Sequence, residues 1–175
     1  MFADLVERHQ DKAMTLAMRM LRNREAAEEA VQDAFIRAFN ALERFEKRSR
    51  FSTWLYRILF NVCSTALSKR GESRQQFGSE IDQNGREIEI PDYSEIPDLI
   101  VEQEEFHQHV VDAMNDLPPL YSGIMTMFYL DDLSYEEIVT ITGIPLGTMK
   151  ARLFRARAML REGVLKRTGV QELVR

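Results

Sequence analysis

Basic side chains recur at helical spacing between Lys150 and Arg167. This stretch holds seven Lys or Arg residues and a single acidic residue, Glu162. Met149, Leu153, Ala156 and Leu160 form an apolar stripe that must face a core. At 100° per residue the basic side chains fall on the opposite side and its flanks. Because a solvated face normally mixes both signs of charge, this bias favours contact with DNA over an idle charged surface.

The residue types on this face are those that the DNA major groove accepts. Arg and Lys read guanine edges, and Ala and Phe touch thymine methyl groups. Arg152 and Arg157 lie on the flanks, from which long cationic side chains reach phosphates. The candidate DNA-contacting residues are Lys150, Ala151, Arg152, Phe154, Arg155 and Arg157.

A second set of aromatic and basic residues, around position 60, suits unpaired nucleic acid. Bases stack on exposed rings while cations follow the phosphate backbone, and this combination binds single strands. The candidate residues of this surface are Arg48, Arg50, Trp54, Tyr56, Arg57, Phe60, Asn61, Lys69 and Arg70. Two alternatives stay open: the helical angle of Trp54 favours a core position, and Tyr56 and Phe60 could also pack against the other half of the chain.

A third surface lies on a long amphipathic helix predicted from about Asn23 to Phe45. Opposite its alanine-rich face stand Gln32, Asp33, Ile36, Asn40 and Glu43, with Phe39 on the flank. An exposed Ile beside a Phe inside a polar ring is typical of a surface that docks a partner. Periodicity leaves two readings open, since Phe39 could fold back into the core and Ile36 could be an ordinary exposed apolar residue.

Hydrophobic periodicity predicts an all-α protein built from two small helical domains. In the first, a third helix buries a stripe made of Phe51, Leu55, Ile58 and Val62, with Ser49 or Ser52 as its cap. In the second, a helix stops at Pro118 and Pro119, and another helix leads to a helix-turn-helix. Ser134 with Glu137 forms a capping box, Thr142-Gly143 ends that helix, and Pro145 suits the first turn of the basic helix.

The charge of the chain, −5 overall, divides into three segments. Residues 1–70 carry 13 basic and 9 acidic residues, residues 71–105 carry 2 and 11, and residues 106–175 carry 8 of each. The middle segment lacks a sustained period and contains Pro91, Pro97 and Asn84-Gly85. It is therefore predicted to be a flexible acidic linker, 71–105, between domains 1–70 and 106–175.

Several classes of function are excluded by what the sequence lacks. Cys63 is the single cysteine, so no internal disulfide forms, and the three His residues are scattered. Without a nucleophile–base pair, a phosphate loop or a metal pattern, an enzyme, a cofactor and a metal are not expected. No apolar run approaches the roughly 18 residues of a membrane span, so we expect a cytoplasmic protein that does not insert into membranes.

Three stretches, in this order, resemble the extracytoplasmic-function (group 4) sigma factors of bacterial RNA polymerase, within the sigma-70 family. They are AEEAVQDAFIRAFNALERF, FSTWLYRILFNV and LSYEEIVTITGIPLGTMKARLFRARAMLR. The resemblance implies a sigma factor that directs core polymerase to promoters by reading the minus-35 element and melting the minus-10 element. It implies core polymerase, duplex and single-stranded promoter DNA, and an anti-sigma factor as partners.

The resemblance also implies residue roles. Residues Gln32, Asp33, Phe35, Ile36, Phe39 and Asn40 would dock on the clamp helices of the largest polymerase subunit. The stretch 51–70, with Asn61 at the family's recurrent asparagine, would melt the promoter and hold minus-10 bases. The second domain would sit on the polymerase flap and read the minus-35 element. Two departures stand out, because Lys47 and Asp132 occupy positions at which relatives commonly carry glycine.

One rival function from another class uses the same residues. A stand-alone helix-turn-helix regulator would bind duplex DNA without polymerase and would not need the surface around Tyr56, Phe60 and Asn61. A second rival is an interaction protein that titrates a sigma antagonist through its first domain.

Overall fold

The computed structural model describes residues 1–71 and 104–169, and every regular element within these ranges is helical. The elements of the first half are α1 (Phe2–Leu21), α2 (Arg24–Ala41), a 3-10 turn (Leu42–Arg44) and α3 (Phe51–Lys69). Those of the second half are α4 (Glu104–Asp116), α5 (Pro119–Met125), a π-helical turn (Thr126–Leu130), α6 (Tyr135–Thr142) and α7 (Leu146–Thr168). The prediction of an all-α protein with a helix-turn-helix is confirmed. Most of the predicted linker lies outside the described residues.

Local sequence sets the ends of the helices. Asn23 caps α2, since its side chain accepts a hydrogen bond from the Ala26 N–H at 2.8 Å. The capping box of α6 is complete, because Ser134 Oγ accepts from the Glu137 N–H at 3.1 Å and Glu137 Oε2 accepts from the Ser134 N–H at 2.9 Å. Gly143 ends α6 with φ 72°. The predicted serine cap of α3 is wrong, since Arg50 holds that position without a side-chain bond.

Two loop residues adopt a left-handed backbone conformation. Lys47 has φ 53° and Asp132 has φ 51°. A side chain in this region crowds its own carbonyl, whereas glycine does not. This explains in physical terms why glycine would suit the two positions at which the resemblance predicts it.

Helix α3 is buried on more than one side. Leu55 lies in the core as predicted, whereas Phe51, Ile58 and Val62 are only half-buried. The other buried residues of α3 are Thr53, Tyr56, Leu59, Phe60, Cys63 and Leu67. The single-stripe prediction is therefore incomplete, because α3 contacts α1 and α2 on one side and α6 on another.

The two halves of the chain share one continuous hydrophobic core. Helix α1 packs against α5, and α3 packs against α6. A Cβ atom at Gly123 in α5 would lie 3.1 Å from Met20 Cγ in α1. The absence of a side chain at Gly123 therefore allows this close approach.

Candidate nucleic-acid interface

The six candidate minus-35 residues lie together on α7, within the helix-turn-helix. Met149, Leu153 and Ala156 are buried, which confirms the predicted apolar stripe. Lys150 is exposed, and the half-buried candidates are Ala151, Arg152, Phe154, Arg155 and Arg157. Helix α7 thus presents a cationic face and two flanks whose side chains can reach a DNA groove and its phosphates.

Three aromatic rings lie beside α7 and contact two of its cationic side chains. We call Phe128, Tyr129 and Tyr135 the aromatic column. Phe128 and Tyr135 stack with centroids 5.1 Å apart and planes 10° apart, and Tyr129 meets Phe128 edge-on at 4.9 Å. The Arg157 guanidinium lies 5.8 Å from the Phe128 ring and 5.6 Å from the Tyr129 ring, and the Lys150 ammonium lies 5.5 Å from the Tyr135 ring. These cation–π contacts restrict where both basic side chains point.

Sequence reasoning missed the aromatic column because its rings come from different elements. Phe128 and Tyr129 belong to the π-helical turn, and Tyr135 begins α6. A π-helical turn holds an extra residue, so helical spacing at 100° per residue misplaces the side chains that follow it. The signal available in the sequence was the pair Phe128-Tyr129 shortly before the capping box, together with Tyr135 inside it.

The candidate single-strand surface on α3 is divided between exposed and covered residues. Arg57 and Asn61 are exposed, whereas Tyr56 is 5% exposed and Phe60 is 6% exposed. The Tyr56 hydroxyl donates a hydrogen bond to Asp131 Oδ2 at 2.9 Å, in the second half of the chain. The expectation of two exposed rings is therefore wrong for this structure, and Tyr56 fits the alternative that it packs against the other half.

The remaining candidates of this surface lie at the two ends of α3, and those at its start adjoin an aromatic cluster. Trp54 is half-buried, with ring centroids 4.8 Å from Phe45 and 5.7 Å from Phe51. This arrangement agrees with the core position that its helical angle favoured. Arg48 and Arg50 are exposed just before α3, and Arg48 forms an ion pair with Glu46 at 2.6 Å, whereas Lys69 and Arg70 are exposed at the opposite end of the helix.

The candidate docking surface on α2 presents two apolar side chains to solvent. Ile36 is 60% exposed and Phe39 is 59% exposed, so the reading in which Phe39 folds into the core is wrong. The ring of Phe2 from α1 supports Phe39, with centroids 5.1 Å apart. The prediction that Phe35 belongs to this exposed surface is wrong, because Phe35 is buried and packs in the core. The polar candidates Gln32 and Asn40 are exposed and Asp33 is half-buried.

The titratable groups of the described residues do not form a metal site. Within residues 1–71 and 104–169, no group of three or more His, Cys, Asp and Glu side chains could hold a metal ion. Burial raises the pKa of the Cys63 thiol to about 12, so it stays protonated and unreactive at neutral pH. In the same ranges, none of the helices combines the length and the apolar character that crossing a bilayer requires.

Two family models match the chain in the order of its two halves. Sigma-70 region 2 matches residues 5–73, and Sigma-70 region 4 matches residues 107–160. The extracytoplasmic-function (ECF) sigma factor SigW of Bacillus subtilis is 35% identical over 92% of this chain and 87% of its own length. The ECF sigma-E factor of Escherichia coli K12 is 36% identical over 87% of this chain and 81% of its own. The chain belongs to the extracytoplasmic-function sigma factors.

A solved relative extends the similarity to the whole fold. The sigma factor RpoE of Bartonella quintana, in complex with the anti-sigma factor NepR, has a TM-score of 0.67 and 27% identity, covering 94% of this chain and 96% of that one. The region 2 match places α1–α3 in the first sigma domain, and the region 4 match includes the helix-turn-helix. This sigma factor directs core polymerase to promoters by minus-35 readout and minus-10 melting. The stand-alone regulator is not favoured, because it would not need a region 2 domain.

Proposed function

We propose that this sigma factor divides promoter recognition between residues 1–70 and 106–175. The first domain docks on the clamp helices of core polymerase and holds the melted minus-10 strand. The second sits on the polymerase flap and reads the minus-35 duplex, and the acidic segment 71–105 connects them. The observation that carries this proposal is the cationic face of α7, where Lys150 is exposed and five further candidates flank it.

The charges of this face support duplex reading. Residues 150–167 carry seven basic residues against one acidic residue, and the acidic segment keeps the whole chain at −5. A net negative chain binds duplex DNA weakly by itself, because remote acidic charge lowers the local attraction for phosphates. Core polymerase would hold the two domains at a fixed separation, which raises the effective concentration of each for its element.

One binding experiment tests this proposal against the stand-alone regulator. We expect core polymerase with the sigma factor to give run-off transcripts from a promoter library, and we expect the free sigma factor to shift no duplex from that library specifically at the same concentration. Tight, specific duplex binding by the free chain, unchanged by polymerase, would contradict the proposal and favour the regulator.

The aromatic column gives a prediction about positioning. Replacing Tyr135 and Phe128 by Leu keeps apolar bulk but removes the contact of Lys150 with Tyr135 and that of Arg157 with Phe128, while Arg157 keeps its contact with Tyr129. Because a cation–π contact contributes about 0.5–1 kcal/mol at an exposed site, holoenzyme affinity for a promoter should fall roughly 5- to 30-fold when both contacts are lost.

The salt dependence of promoter binding distinguishes a loss of cation positioning from a loss of cationic charge. The double Leu variant retains both cations, so the slope of log affinity against log salt should match that of the unchanged protein. Lys150→Ala removes a phosphate contact and should reduce that slope by about 1. An unchanged affinity in the Leu variant, or a reduced slope, would show that the rings do not act by orienting the cations.

We also propose the partners and place of action that the family implies. An anti-sigma factor would hold this chain inactive; the Bartonella relative was solved in complex with an anti-sigma factor. Since its targets are core polymerase and promoter DNA, the sigma factor acts in the cytoplasm. Copurification of the chain from cells with core polymerase, and with a second protein that blocks run-off transcription, would test both statements.

A further inference from the structure

Arg157 on α7 lacks the partners that a folded protein normally gives a buried guanidinium. The side chain is half-buried, and its Nε is buried without a hydrogen-bond partner. It also takes part in none of the ion pairs identified within residues 1–71 and 104–169. A buried polar group without a partner is rare in proteins, and an anion that binds from outside is one way to satisfy it.

Two other half-buried arginines show what an arginine that serves the fold looks like. Arg167, further along α7, donates to the Gly163 carbonyl at 3.0 Å and forms an ion pair with Asp116. Arg19 donates to Asn115 Oδ1 at 2.6 Å. Their donors are used inside the protein, which satisfies the buried part of each guanidinium. Arg157 contacts aromatic rings instead, so its charge is not neutralised by the residues that surround it.

Tyr129 places a hydroxyl group beside this cation. The centre of its ring lies 5.6 Å from the Arg157 guanidinium, and the Phe128 ring meets the Tyr129 ring edge-on at 4.9 Å. Tyr129 is 48% exposed, and within the described parts of the chain its hydroxyl takes part in none of the identified hydrogen bonds. The ring is therefore held by its neighbours, while a hydroxyl donor and an unneutralised guanidinium stand together at the surface.

Helical geometry places Lys150 and Arg157 on one line along α7. Seven residues at 100° each come within about 20° of two full turns, and at 1.5 Å per residue they separate the two positions by about 10.5 Å along the axis. The Lys150 ammonium contacts Tyr135, at the other end of the aromatic column. Cations so far apart cannot share one phosphate group. The column therefore suits a polymer with regularly spaced phosphates, such as a DNA strand, better than a single small anion.

We propose that Arg157 and Tyr129 together bind one phosphodiester group of the promoter backbone beside the minus-35 element. The rings of Phe128 and Tyr129 orient the guanidinium, whose N–H groups donate to a phosphate oxygen, and the Tyr129 hydroxyl donates to the same phosphate. Tyr129 is then a DNA-contacting residue outside α7, on the π-helical turn. This assignment rests on the minus-35 role proposed for the second domain.

Tyr129→Phe tests the hydroxyl contact, because it keeps the ring against Arg157. Binding of the holoenzyme is measured on an active promoter with a mismatched bubble across the minus-10 element, so that melting does not contribute. We expect the affinity to fall roughly 3- to 10-fold. The slope of log affinity against log salt should not change, since no charge is lost. Arg157→Gln should lower the affinity and also reduce that slope by about 1.

Neutral phosphates in the DNA locate the contact. A methylphosphonate replaces one charged phosphate at a time around the minus-35 element of the same promoter. For the unchanged holoenzyme, substitution of the phosphate that Arg157 and Tyr129 bind should lower the affinity. At that position Tyr129→Phe should cause no further loss, because both changes remove the same contact, whereas at the other positions the two losses should multiply.

The control is Thr15→Val, which removes an exposed hydroxyl of α1 that donates to the Asp11 carbonyl at 2.9 Å, and it should bind as the unchanged chain does. Tyr129→Phe binding within about twofold of the unchanged holoenzyme would overturn the proposal. Losses that multiply at every phosphate position would also overturn it, because Tyr129 would then contact none of them. If the unchanged holoenzyme bound no promoter specifically, the proposed function itself would fail, which is a distinct result.

Discussion

Replacing Ile36 and Phe39 together by Glu is expected to abolish recruitment of core polymerase while the chain stays folded. Both side chains are more than half exposed, so little core packing is lost. If they dock on the polymerase as proposed, each is an apolar anchor of the kind that contributes 2 kcal/mol or more to an interface. A buried carboxylate without a partner adds a further penalty. Affinity for core polymerase should fall at least about 1,000-fold in a fluorescence competition assay.

The control for this variant lies on the same helix. Glu29 is exposed on α2, and its side chain makes no hydrogen bond or ion pair identified among the described residues, so Glu29→Ala should bind polymerase as the unchanged chain does. Thermal unfolding followed by circular dichroism should give similar midpoints for all three proteins. Polymerase binding within about threefold of the unchanged chain would remove Ile36 and Phe39 from the docking surface.

Phe35 illustrates why a docking variant must be chosen from the structure. The resemblance groups it with Ile36 and Phe39, but its ring is buried and meets Phe2 edge-on at 6.5 Å. Truncation of a buried Phe typically costs 3–5 kcal/mol of folding stability. A Phe35→Ala variant would therefore lose polymerase binding through unfolding, and its phenotype would say nothing about contact.

The elements that local sequence determines were predictable. The Ser134–Glu137 capping box, the Gly143 end of α6 and the Met149/Leu153/Ala156 stripe follow from side chains within a few residues of one another. Caps and helical stripes depend on such short spacings, and these predictions are confirmed. The 3-10 turn after Ala41 and the π-helical turn after Met125 interrupt the regular spacing, so the side-chain directions within these turns were not predictable.

The arrangement of the two halves was not predictable from periodicity. Tyr56 and Phe60 fall outside the predicted apolar stripe of α3. A residue at such a position can serve either to bind a partner or to pack against another domain. One sequence cannot separate these, because an aromatic side chain suits both. The hydrogen bond to Asp131 shows that Tyr56 packs against the other half of the chain. Asp131 lies 75 positions away in the sequence, where it resembles an ordinary surface carboxylate.

Asn61→Ala is expected to block promoter opening while leaving polymerase binding and folding intact. Asn61 is exposed on α3, and its side chain makes none of the hydrogen bonds identified within the described parts of the chain, so its loss should not destabilise the helix. An amide that pairs with a base edge contributes about 1–3 kcal/mol. Run-off transcription from a duplex promoter should therefore fall roughly 5- to 150-fold.

A premelted template distinguishes strand capture from other defects. Extruding a base costs a few kcal/mol, and a mismatched bubble across the minus-10 element removes that cost. Transcription by the Asn61→Ala holoenzyme should recover most of its loss on the bubble, whereas the Ile36→Glu/Phe39→Glu variant should recover none. Gln108→Ala, which removes an exposed amide bonded only to Asp112 in the described structure, should behave as the unchanged chain on both templates. If Asn61→Ala lowered transcription equally on the duplex and on the bubble, Asn61 would not act in strand opening. The free-energy cost that its side chain offsets would then belong to another step of initiation.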